Sequence, residues 1–282
     1  ELDNMTITIT PAPTADAGVD QSVCENNPEV TLAGVVTIAT GGIWSGGSGV
    51  YTPNNSSINA VYTPTSAEIA LGTITLTLTT TGNGDCNSES DNMVITFTDA
   101  PTASANIDQS VCANNAAVTL SGSVTIATGG SWSGGLGIYT PDNTTLNAVY
   151  IPTAAEIVAG SVTLTLTTTG NGGCIPVADD MLITITPAPT VDADIDQTVC
   201  ANNPTVTLNG VVTAVTGGTW SGGTGTYAPN ANTLNALYTP SVAEITAGTV
   251  VLTLTTTGNG NCNSELDNMT ITITPAPTAD AG

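Results

Sequence analysis

The chain has 282 residues, of which 23 are acidic and none is Lys, Arg or His, so its formal net charge is -23. A chain without cations has no group that neutralises a phosphate backbone or an anionic lipid surface, which excludes nucleic acid partners and direct membrane insertion. Because His and Lys are absent, imidazole nucleophile pairs, imidazole metal ligands and Schiff bases are excluded too, and we expect no enzyme and no cofactor. At 40% hydrophobic residues the chain still has the apolar material for a folded core.

An internal repeat organises the whole sequence. The first 18 residues, ELDNMTITITPAPTADAG, recur unchanged as residues 265–282. Trp44, Trp132 and Trp220 stand 88 residues apart, which indicates three tandem repeats cut from a longer array. The expected divisions are 1–11 as the last strand of a preceding repeat, 12–100, 101–188 and 189–276 as three full repeats, and 277–282 as the start of the next.

Short strands separated by turn residues make up the first repeat. The run TITLTLTTT alternates Ile74, Leu76 and Leu78 with threonines, the period of two that a strand with one buried face shows. Clusters of Asn, Pro and Gly between such runs predict turns. The expected strands lie near 17–24, 29–38, 42–46, 49–52, 57–63, 73–81 and 91–98. This pattern predicts an all-β fold of three tandem immunoglobulin-like sandwiches, one for each repeat.

One segment of each repeat predicts a short helix instead of a strand. In PTSAEIALG, Thr65 stands three residues before Glu68, which is a capping box, and Gly72 follows as a helix end. The pattern recurs at Glu156 and Glu244. We interpret these three glutamates as structural and not catalytic, because no second acid recurs at a defined offset from them.

The tryptophans have two interpretations. Trp44, Trp132 and Trp220 stand among glycines, as in GGIWSGG. Exposed, they would offer a flat surface to a sugar ring. A tryptophan on the third strand of an immunoglobulin-like sandwich normally fills the core, and each repeat has few other large side chains, so we expect burial.

Acidic residues gather where the first and third repeats begin. Asp16 and Asp20 lie in TADAGVDQ, and Asp192, Asp194 and Asp196 lie in TVDADIDQ. These five are the candidate calcium ligands, since calcium takes six to eight oxygens. The middle repeat has a single Asp in TASANIDQ and no calcium-loop spacing occurs, so a solvated acidic face without a metal is the favoured interpretation.

Two cysteines in every repeat suit disulfides in an oxidising, extracellular setting. Cys24 ends the first predicted strand and Cys86 lies in the reversal between the last two, so the sandwich places them at opposite ends, about 20–25 Å apart. That gap exceeds the Cα separation of a disulfide, about 4.4–6.8 Å. Stacked repeats bring the first turn of one against the last turn of the next, and we expect bridges between repeats. The expected pairs are Cys24–Cys174 and Cys112–Cys262, with Cys86 and Cys200 bridging to further repeats; the alternative is Cys24–Cys86, Cys112–Cys174 and Cys200–Cys262.

Three segments together resemble a known family. DQSVCENNPEVTLAG, GGIWSGG and AVYTPTSAEIALGTITLTLTTTGNGDC are similar to the PKD-like, immunoglobulin-like repeats of giant cell-surface adhesins from gliding bacteria of the Bacteroidetes group. The likeness covers all 88 residues of each repeat. It implies a long surface filament, exported by type IX secretion, that serves adhesion and gliding motility.

The leading hypothesis is a structural stalk outside the cell. Short linkers of the PAPT type act as semi-rigid spacers between sandwiches. Its expected partners are neighbouring repeats of the same chain and, at the adhesive contact, extracellular polysaccharide or a solid surface. The alternative is an array of polysaccharide-binding modules that use exposed Trp and loop carboxylates. A glycosidase needs two acids at a defined separation, and the sequence offers no such pair.

Overall fold

The computed structural model describes residues 2–279, and its regular elements are almost all β-strands. The first repeat contains β1 (Thr14–Asp16), β2 (Gln21–Cys24), β3 (Val30–Thr31), β4 (Val35–Thr37), β5 (Gly41–Ser45), β6 (Val50–Thr52), β7 (Val61–Thr63), α1 (Ser66–Ala70), β8 (Thr73–Thr81) and β9 (Ser90–Thr98). The second contains β10 (Thr102–Ser104), β11 (Gln109–Cys112), β12 (Val118–Thr119), β13 (Ser123–Thr125), β14 (Gly129–Ser133), β15 (Ile138–Thr140), β16 (Val149–Ile151), α2 (Ala154–Ala159), β17 (Ser161–Thr169) and β18 (Ala178–Thr186). The third contains β19 (Thr190–Asp192), β20 (Gln197–Cys200), β21 (Val206–Thr207), β22 (Val211–Thr213), β23 (Gly217–Ser221), β24 (Thr226–Ala228), β25 (Leu237–Thr239), α3 (Val242–Ala247), β26 (Thr249–Thr257) and β27 (Leu266–Thr274).

Contacts divide the chain into two compact units. The first consists of the described residues of Glu1–Ser104, Gly122–Trp132 and Leu166–Asp179, and the second of those of Ala105–Ser121, Ser133–Thr165 and Asp180–Gly282. The first repeat lies wholly in the first unit and the third repeat wholly in the second, whereas the middle repeat contributes to both. None of the helices among the described residues combines the length and the hydropathy that a membrane crossing requires.

In the first unit, a four-stranded sheet follows from the alternating sequence. Leu76 and Leu78 in β8 are fully buried, while the intervening threonines are partly exposed. The strand order is β2-β9-β8-β5, with β9 antiparallel to β8 and parallel to β2. A second sheet has the order β3-β7-β6, and β1 pairs with β4 as a ribbon. Trp44 of β5 and Tyr62 of β7 belong to one buried cluster, so the sheets face each other across a shared core.

The third repeat, in the second unit, has the same construction. Its sheets have the orders β20-β27-β26-β23 and β21-β25-β24, and β19 pairs with β22. Trp220, Tyr238, Leu252, Leu254 and Met269 are among the residues of its buried core. The repeats are therefore immunoglobulin-like β-sandwiches, as the alternating pattern predicts.

Three of the predicted strands are wrong in detail. The expected strand 57–63 shortens to β7, Val61–Thr63, because turns occupy the residues before it. Of the expected strand 17–24 only β2, Gln21–Cys24, forms, and the unpredicted β1 precedes it, because the backbone turns at Gly18, whose φ is +85°. The expected strand 29–38 is β3 followed by β4, and the two belong to different sheets. The chain crosses between them at Gly34, where an added Cβ would lie 2.7 Å from Leu78 Cδ2. Each repeat thus has nine strands where the sequence predicts seven.

The N-terminal segment forms no strand. Residues 2–13 have no regular structure, and the exposed fractions of Met5, Ile7 and Ile9 are 82%, 71% and 88%. The identical segment in β27 buries the corresponding Met269 and Ile271 completely. The assignment of 1–11 to a preceding repeat stays a prediction. Residue 1 and residues 280–282 of the expected segments lie outside the described residues.

Candidate functional site: the junctions between repeats

The two cysteines of one repeat are held at opposite ends of its main sheet. Cys24, at the end of β2, is aligned with Thr98 at the end of β9. Cys86 precedes the start of β9, in the reversal that follows β8. A nine-residue strand rising about 3.3 Å per residue separates these positions by roughly 26 Å, too far for a disulfide.

Disulfides instead join consecutive repeats. Cys24 is bonded to Cys174 with a Cα separation of 5.0 Å, inside the first unit. Cys112 is bonded to Cys262 with a Cα separation of 4.9 Å, inside the second unit. These are the pairs that the sequence predicts between repeats, and the alternative pairs Cys24–Cys86 and Cys112–Cys174 do not occur.

Each disulfide lies against the linker between the two repeats that it joins. The sulfurs of Cys24 and Cys174 both lie 3.8 Å from the carbonyl oxygen of Asp99, one residue beyond the end of β9. In the second unit the sulfurs of Cys112 and Cys262 both lie 3.8 Å from the carbonyl oxygen of Pro187. Each junction is therefore crossed by two covalent routes that meet at the linker, the backbone and the disulfide.

An asparagine beside the first disulfide adds a pair of hydrogen bonds. Asn26 donates from Nδ2 to the carbonyl oxygen of Ile175 at 2.9 Å, and the amide of Ile175 donates to Asn26 Oδ1 at 3.0 Å. Asn27 donates from Nδ2 to the carbonyl oxygen of Gly173 at 3.2 Å. The turn after β2, closed by the amide of Asn27 and the carbonyl of Cys24, presents both side chains.

The second unit repeats this arrangement with more bonds. Asn114 donates from Nδ2 to the carbonyl oxygen of Asn263 at 3.1 Å, and the amide of Asn263 donates to Asn114 Oδ1 at 3.0 Å. Asn114 Nδ2 also lies 2.7 Å from Glu265 Oε1, and Asn115 donates to the carbonyl oxygen of Asn261 at 3.1 Å. We call such a set of bonds the asparagine clasp. It is formed by Asn26 and Asn27 at the first junction and by Asn114 and Asn115 at the second. The Asn pairs were predicted only as turn residues, although they recur after the first cysteine of every repeat, in ENN, ANN and ANN.

Two cysteines have no disulfide partner. Cys86 and Cys200 are half-buried and free. The thiol of Cys86 lies 3.8 Å from the carbonyl oxygen of Pro11, and that of Cys200 lies 3.8 Å from the carbonyl oxygen of Pro275. Their expected bridges to further repeats stay a prediction.

The predicted structural glutamates are buried caps of the short helices. Glu68 is 6% exposed and completes a capping box with Thr65. Its carboxylate accepts hydrogen bonds from the amides of Thr65 and Ser48 and from the hydroxyl of Tyr62. Burial opposes its ionisation, but these hydrogen bonds outweigh burial and lower the pKa of Glu68 to about 2.

Glu156 and Glu244 have the same partners, and the pKa of each is lowered for the same reasons. The pKa of Tyr62, which donates to Glu68, is raised mainly by burial and also by this hydrogen bond. A carboxylate that accepts three or more hydrogen bonds and has a lowered pKa is a poor general acid, since an acid at neutral pH needs a raised pKa.

The tryptophans are in the core. Trp44 and Trp132 are fully buried and Trp220 is 1% exposed. Trp44 donates from Nε1 to the carbonyl oxygen of Ile58 at 3.0 Å, which satisfies its polar atom. The alternative interpretation, an exposed aromatic platform for sugar rings, is therefore wrong for these three residues.

The candidate calcium carboxylates accept hydrogen bonds from backbone amides. Asp16 Oδ1 accepts from the amide of Gly18 at 2.8 Å, and Asp20 Oδ1 accepts from the amide of Val94 at 2.8 Å. In the third repeat Asp192, Asp194 and Asp196 accept in the same way from the amides of Asp194, Ile195 and Thr270. Within residues 2–279, no three acidic or cysteine side chains are grouped closely enough to hold a metal.

A cleft of about 380 Å³ lies beside the second junction, inside the second unit. Its walls include Ser110, Thr186, Pro187, Ala214, Asn259 and Asn261. None of the residues that line it is charged or aromatic. It offers neither an acid pair for hydrolysis nor a stacking surface for a sugar.

No protein-family model matches the chain, and no curated protein matches it. Among solved structures it is similar to a three-domain immunoglobulin fragment of titin at 10% identity and a TM-score of 0.46, covering 95% of this chain and 100% of that one. It is similar to domains EC1-3 of mouse protocadherin-24 at 11% identity and a TM-score of 0.38, covering 97% and 100%. It is also similar to immunoglobulin domains 1–5 of Sidekick-1 at 15% identity and a TM-score of 0.34, covering 94% and 60%. All three TM-scores are below 0.5, so the fold rests on the strands and pairings described above.

Proposed function

We propose that this chain is a load-bearing stalk segment of a long adhesin filament at the cell surface, with repeats at 12–100, 101–188 and 189–276. Its role is to hold adhesive contacts away from the cell during surface adhesion and gliding. The resemblance of its repeats to those of gliding-bacterium adhesins supplies the biological setting, including type IX secretion. The chain's own junctions supply the mechanical argument.

The observation that carries the proposal is the doubled connection between repeats. A backbone linker alone transmits tension through one chain and leaves the two sandwiches free to swing. Here a disulfide runs beside the linker at both junctions, and the asparagine clasp fixes the contact between the loops. Tension applied along the chain is therefore shared between two covalent routes at each junction, which suits a stalk more than a flexible binding array.

Composition supports an exposed position outside the cell. The disulfides need an oxidising compartment to persist. The absence of Lys and Arg leaves no site for trypsin-like proteases, and a net charge of -23 opposes collapse of one segment onto another. None of these features requires a ligand.

Labelling and pulling experiments test the proposal together. Immunogold labelling of intact cells that produce the protein should place the chain along surface fibres, and label confined to the cytoplasm would contradict the proposal.

Single-molecule pulling from the two ends should show that the oxidised chain resists higher force than the chain reduced with dithiothreitol. Equal unfolding forces in the two states would show that the disulfides carry no load.

A further inference from the structure

We propose that Asn171–Gly172 and Asn259–Gly260, in the loops that carry Cys174 and Cys262, are sites of spontaneous covalent modification. Each asparagine converts with time, without an enzyme, to aspartate or isoaspartate, and the product loosens the junction beside it. The inference goes beyond the stalk function and does not depend on it, because it rests on the chemistry and the contacts of these two loops.

The Asn-Gly dipeptide occurs four times in the chain, at 83–84, 171–172, 209–210 and 259–260. A glycine after asparagine favours attack of its backbone nitrogen on the asparagine side chain, because glycine has no Cβ to obstruct the approach and the widest choice of backbone angles. The pairs at 83–84, 171–172 and 259–260 lie in the loops that carry Cys86, Cys174 and Cys262, whereas 209–210 lies between β21 and β22. The sites therefore share a dipeptide and differ in their surroundings.

The glycine nitrogen is free at both junctions. The amide of Gly172 donates to no group of the described residues, its φ is +61°, and a Cβ added there would meet no atom within 4 Å. Gly260 has the same surroundings at a φ of +58°. The attacking atom is thus neither hydrogen-bonded nor enclosed, and the backbone around it has room to change conformation.

One hydrogen bond restrains each asparagine side chain. Asn171 donates from Nδ2 to the carbonyl oxygen of Thr168 at 3.1 Å, and Asn259 donates to that of Thr256 at 3.2 Å. The Oδ1 atom of each is buried but accepts no hydrogen bond from the described residues. An acceptor buried without a donor raises the free energy of this position, so the side chain turns toward the glycine at a lower cost than a fully bonded asparagine would.

The pair Asn209–Gly210 has the opposite surroundings. The amide of Gly210 donates to the carbonyl oxygen of Leu234 at 3.1 Å, and a Cβ added at Gly210 would lie 2.6 Å from Leu254 Cδ2. Asn209 Nδ2 lies 3.0 Å from Asp194 Oδ2, to which it donates. Because the attacking nitrogen is bonded and enclosed, we expect this pair to stay intact in the folded chain.

The reaction consumes water and releases ammonia. The Gly172 nitrogen gives its proton to a base and attacks Cγ of Asn171. The N–Cγ bond forms, the Cγ–Nδ2 bond breaks, and the nitrogen that leaves takes up a proton and departs as ammonia. Water then opens the resulting succinimide ring at either carbonyl, which gives aspartate or isoaspartate. No atom is oxidised or reduced, so the step needs no oxidant.

The product does not fit the loop. A carboxylate at position 171 has no N–H for the carbonyl oxygen of Thr168, and it places a negative charge at a buried position that offers no donor. Isoaspartate also lengthens the main chain by one carbon atom. The next residues, Gly173 and Ile175, form the first junction's clasp bonds with Asn27 and Asn26, so a displaced loop weakens the clasp.

Incubation of the folded, oxidised chain in mildly alkaline buffer tests the reaction, with peptide mapping by mass spectrometry at each site. Asn171 and Asn259 should convert at least about tenfold faster than Asn209, whose glycine amide must first lose its hydrogen bond. Both aspartate and isoaspartate should form, because only a succinimide gives both. In the reduced chain unfolded in urea, the three sites should convert at similar rates. Conversion of Asn209 as fast as the other two in the folded chain, or aspartate as the only product, would overturn the proposal.

Asn171→Asp introduces the product charge directly and tests its effect on the junction. It should speed reduction of Cys24–Cys174 by dithiothreitol about tenfold and leave Cys112–Cys262 unchanged, and Asn259→Asp should do the reverse. Asn54→Asp is the matched control, because the second repeat already has Asp142 at this position with the same hydrogen bond to the amide two residues on. Unchanged reduction in both junction variants, or equal acceleration in the control, would show that the modification does not loosen the junctions.

Discussion

Asn114 and Asn263 exchange hydrogen bonds across the second junction, 149 residues apart in sequence. Asn114 Nδ2 donates to the carbonyl oxygen of Asn263, and the amide of Asn263 returns a bond to Asn114 Oδ1. The side-chain amide of Asn114 thus bonds to both the N–H and the C=O of Asn263, as a neighbouring strand would bond to the backbone of the loop that carries Cys262. The disulfide beside it is protected as long as that loop stays in place.

Replacing this asparagine should expose the disulfide. We expect Asn114→Ala to speed reduction of Cys112–Cys262 by dithiothreitol about tenfold, because the loss of a paired hydrogen bond costs about 1–2 kcal/mol of local stability. Mass spectrometry of alkylated peptides measures the rate for each disulfide separately. Asn26→Ala is the crossed control and should speed reduction of Cys24–Cys174 instead. Equal acceleration of both disulfides in either variant would contradict a local role.

The overlapping disulfides set the length of the unfolded chain. With both intact, the shortest covalent route between the ends runs through residues 1–24, 112–174 and 262–282. Fully unfolded and pulled, this route spans about 380 Å, against about 1,000 Å for the reduced chain. Atomic force microscopy on the chain held at its two ends should measure these two contour lengths. An oxidised chain that extends to the reduced length would exclude this disulfide pattern.

Acid should destabilise each sandwich through its capping glutamate. The pKa of Glu68 is about 2 when folded and near 4.5 when unfolded. A lowered folded pKa adds stability that is fully present above the unfolded value and is lost as the pH falls toward the folded one. We therefore expect the first repeat to lose up to about 2–3 kcal/mol between about pH 4.5 and pH 2, and the other two repeats to lose stability in the same direction.

Urea unfolding at a series of pH values measures this loss. Glu68→Gln should flatten the dependence for the first repeat, while Glu25→Gln, which changes an exposed carboxylate at a junction turn, serves as the matched control. An unchanged slope in Glu68→Gln would show that the capping box does not cause the acid sensitivity.

The buried tryptophans should not bind sugars. Their fluorescence should be blue-shifted and should not change when polysaccharide is added, because no ring surface is open to a ligand. Quenching or a spectral shift on addition of polysaccharide would revive the binding-module hypothesis. Trp44→Ala should destabilise the first repeat by about 3–5 kcal/mol, as expected for removal of a core aromatic residue.

Calcium should act on this protein only as a salt. At equal ionic strength, calcium and sodium should raise the melting temperature by similar amounts, since both screen the repulsion among 23 acidic residues. The Asp16, Asp20, Asp192, Asp194 and Asp196 carboxylates already accept backbone hydrogen bonds. Differential scanning calorimetry decides the point, and a large increase with calcium that EDTA reverses would assign a metal site to these residues.

Local patterns in the sequence were sufficient for the long strands and the helices. The alternation of Leu76 and Leu78 with threonines predicts β8 with its bounds, because a period of two admits only one buried face. Thr65 and Glu68 predict α1, because a capping box is satisfied within four residues. The prediction of the inter-repeat disulfides needed the sandwich topology as well, because only that topology places Cys24 and Cys86 at opposite ends of a repeat and the first turn of one repeat against the last turn of the next.

Tertiary structure decided the features that depend on a distant partner. Gly18 and Gly34 break predicted strands because the chain must pass between sheets at those points, and nothing nearby in the sequence states which sheet each half will join. Asn26 and Asn114 are ordinary turn residues until the loop of the following repeat is brought against them. The recurrence of the Asn pair marks it as a feature of every repeat, but the atoms that it binds 149 residues away are decided by the packing of one repeat on the next.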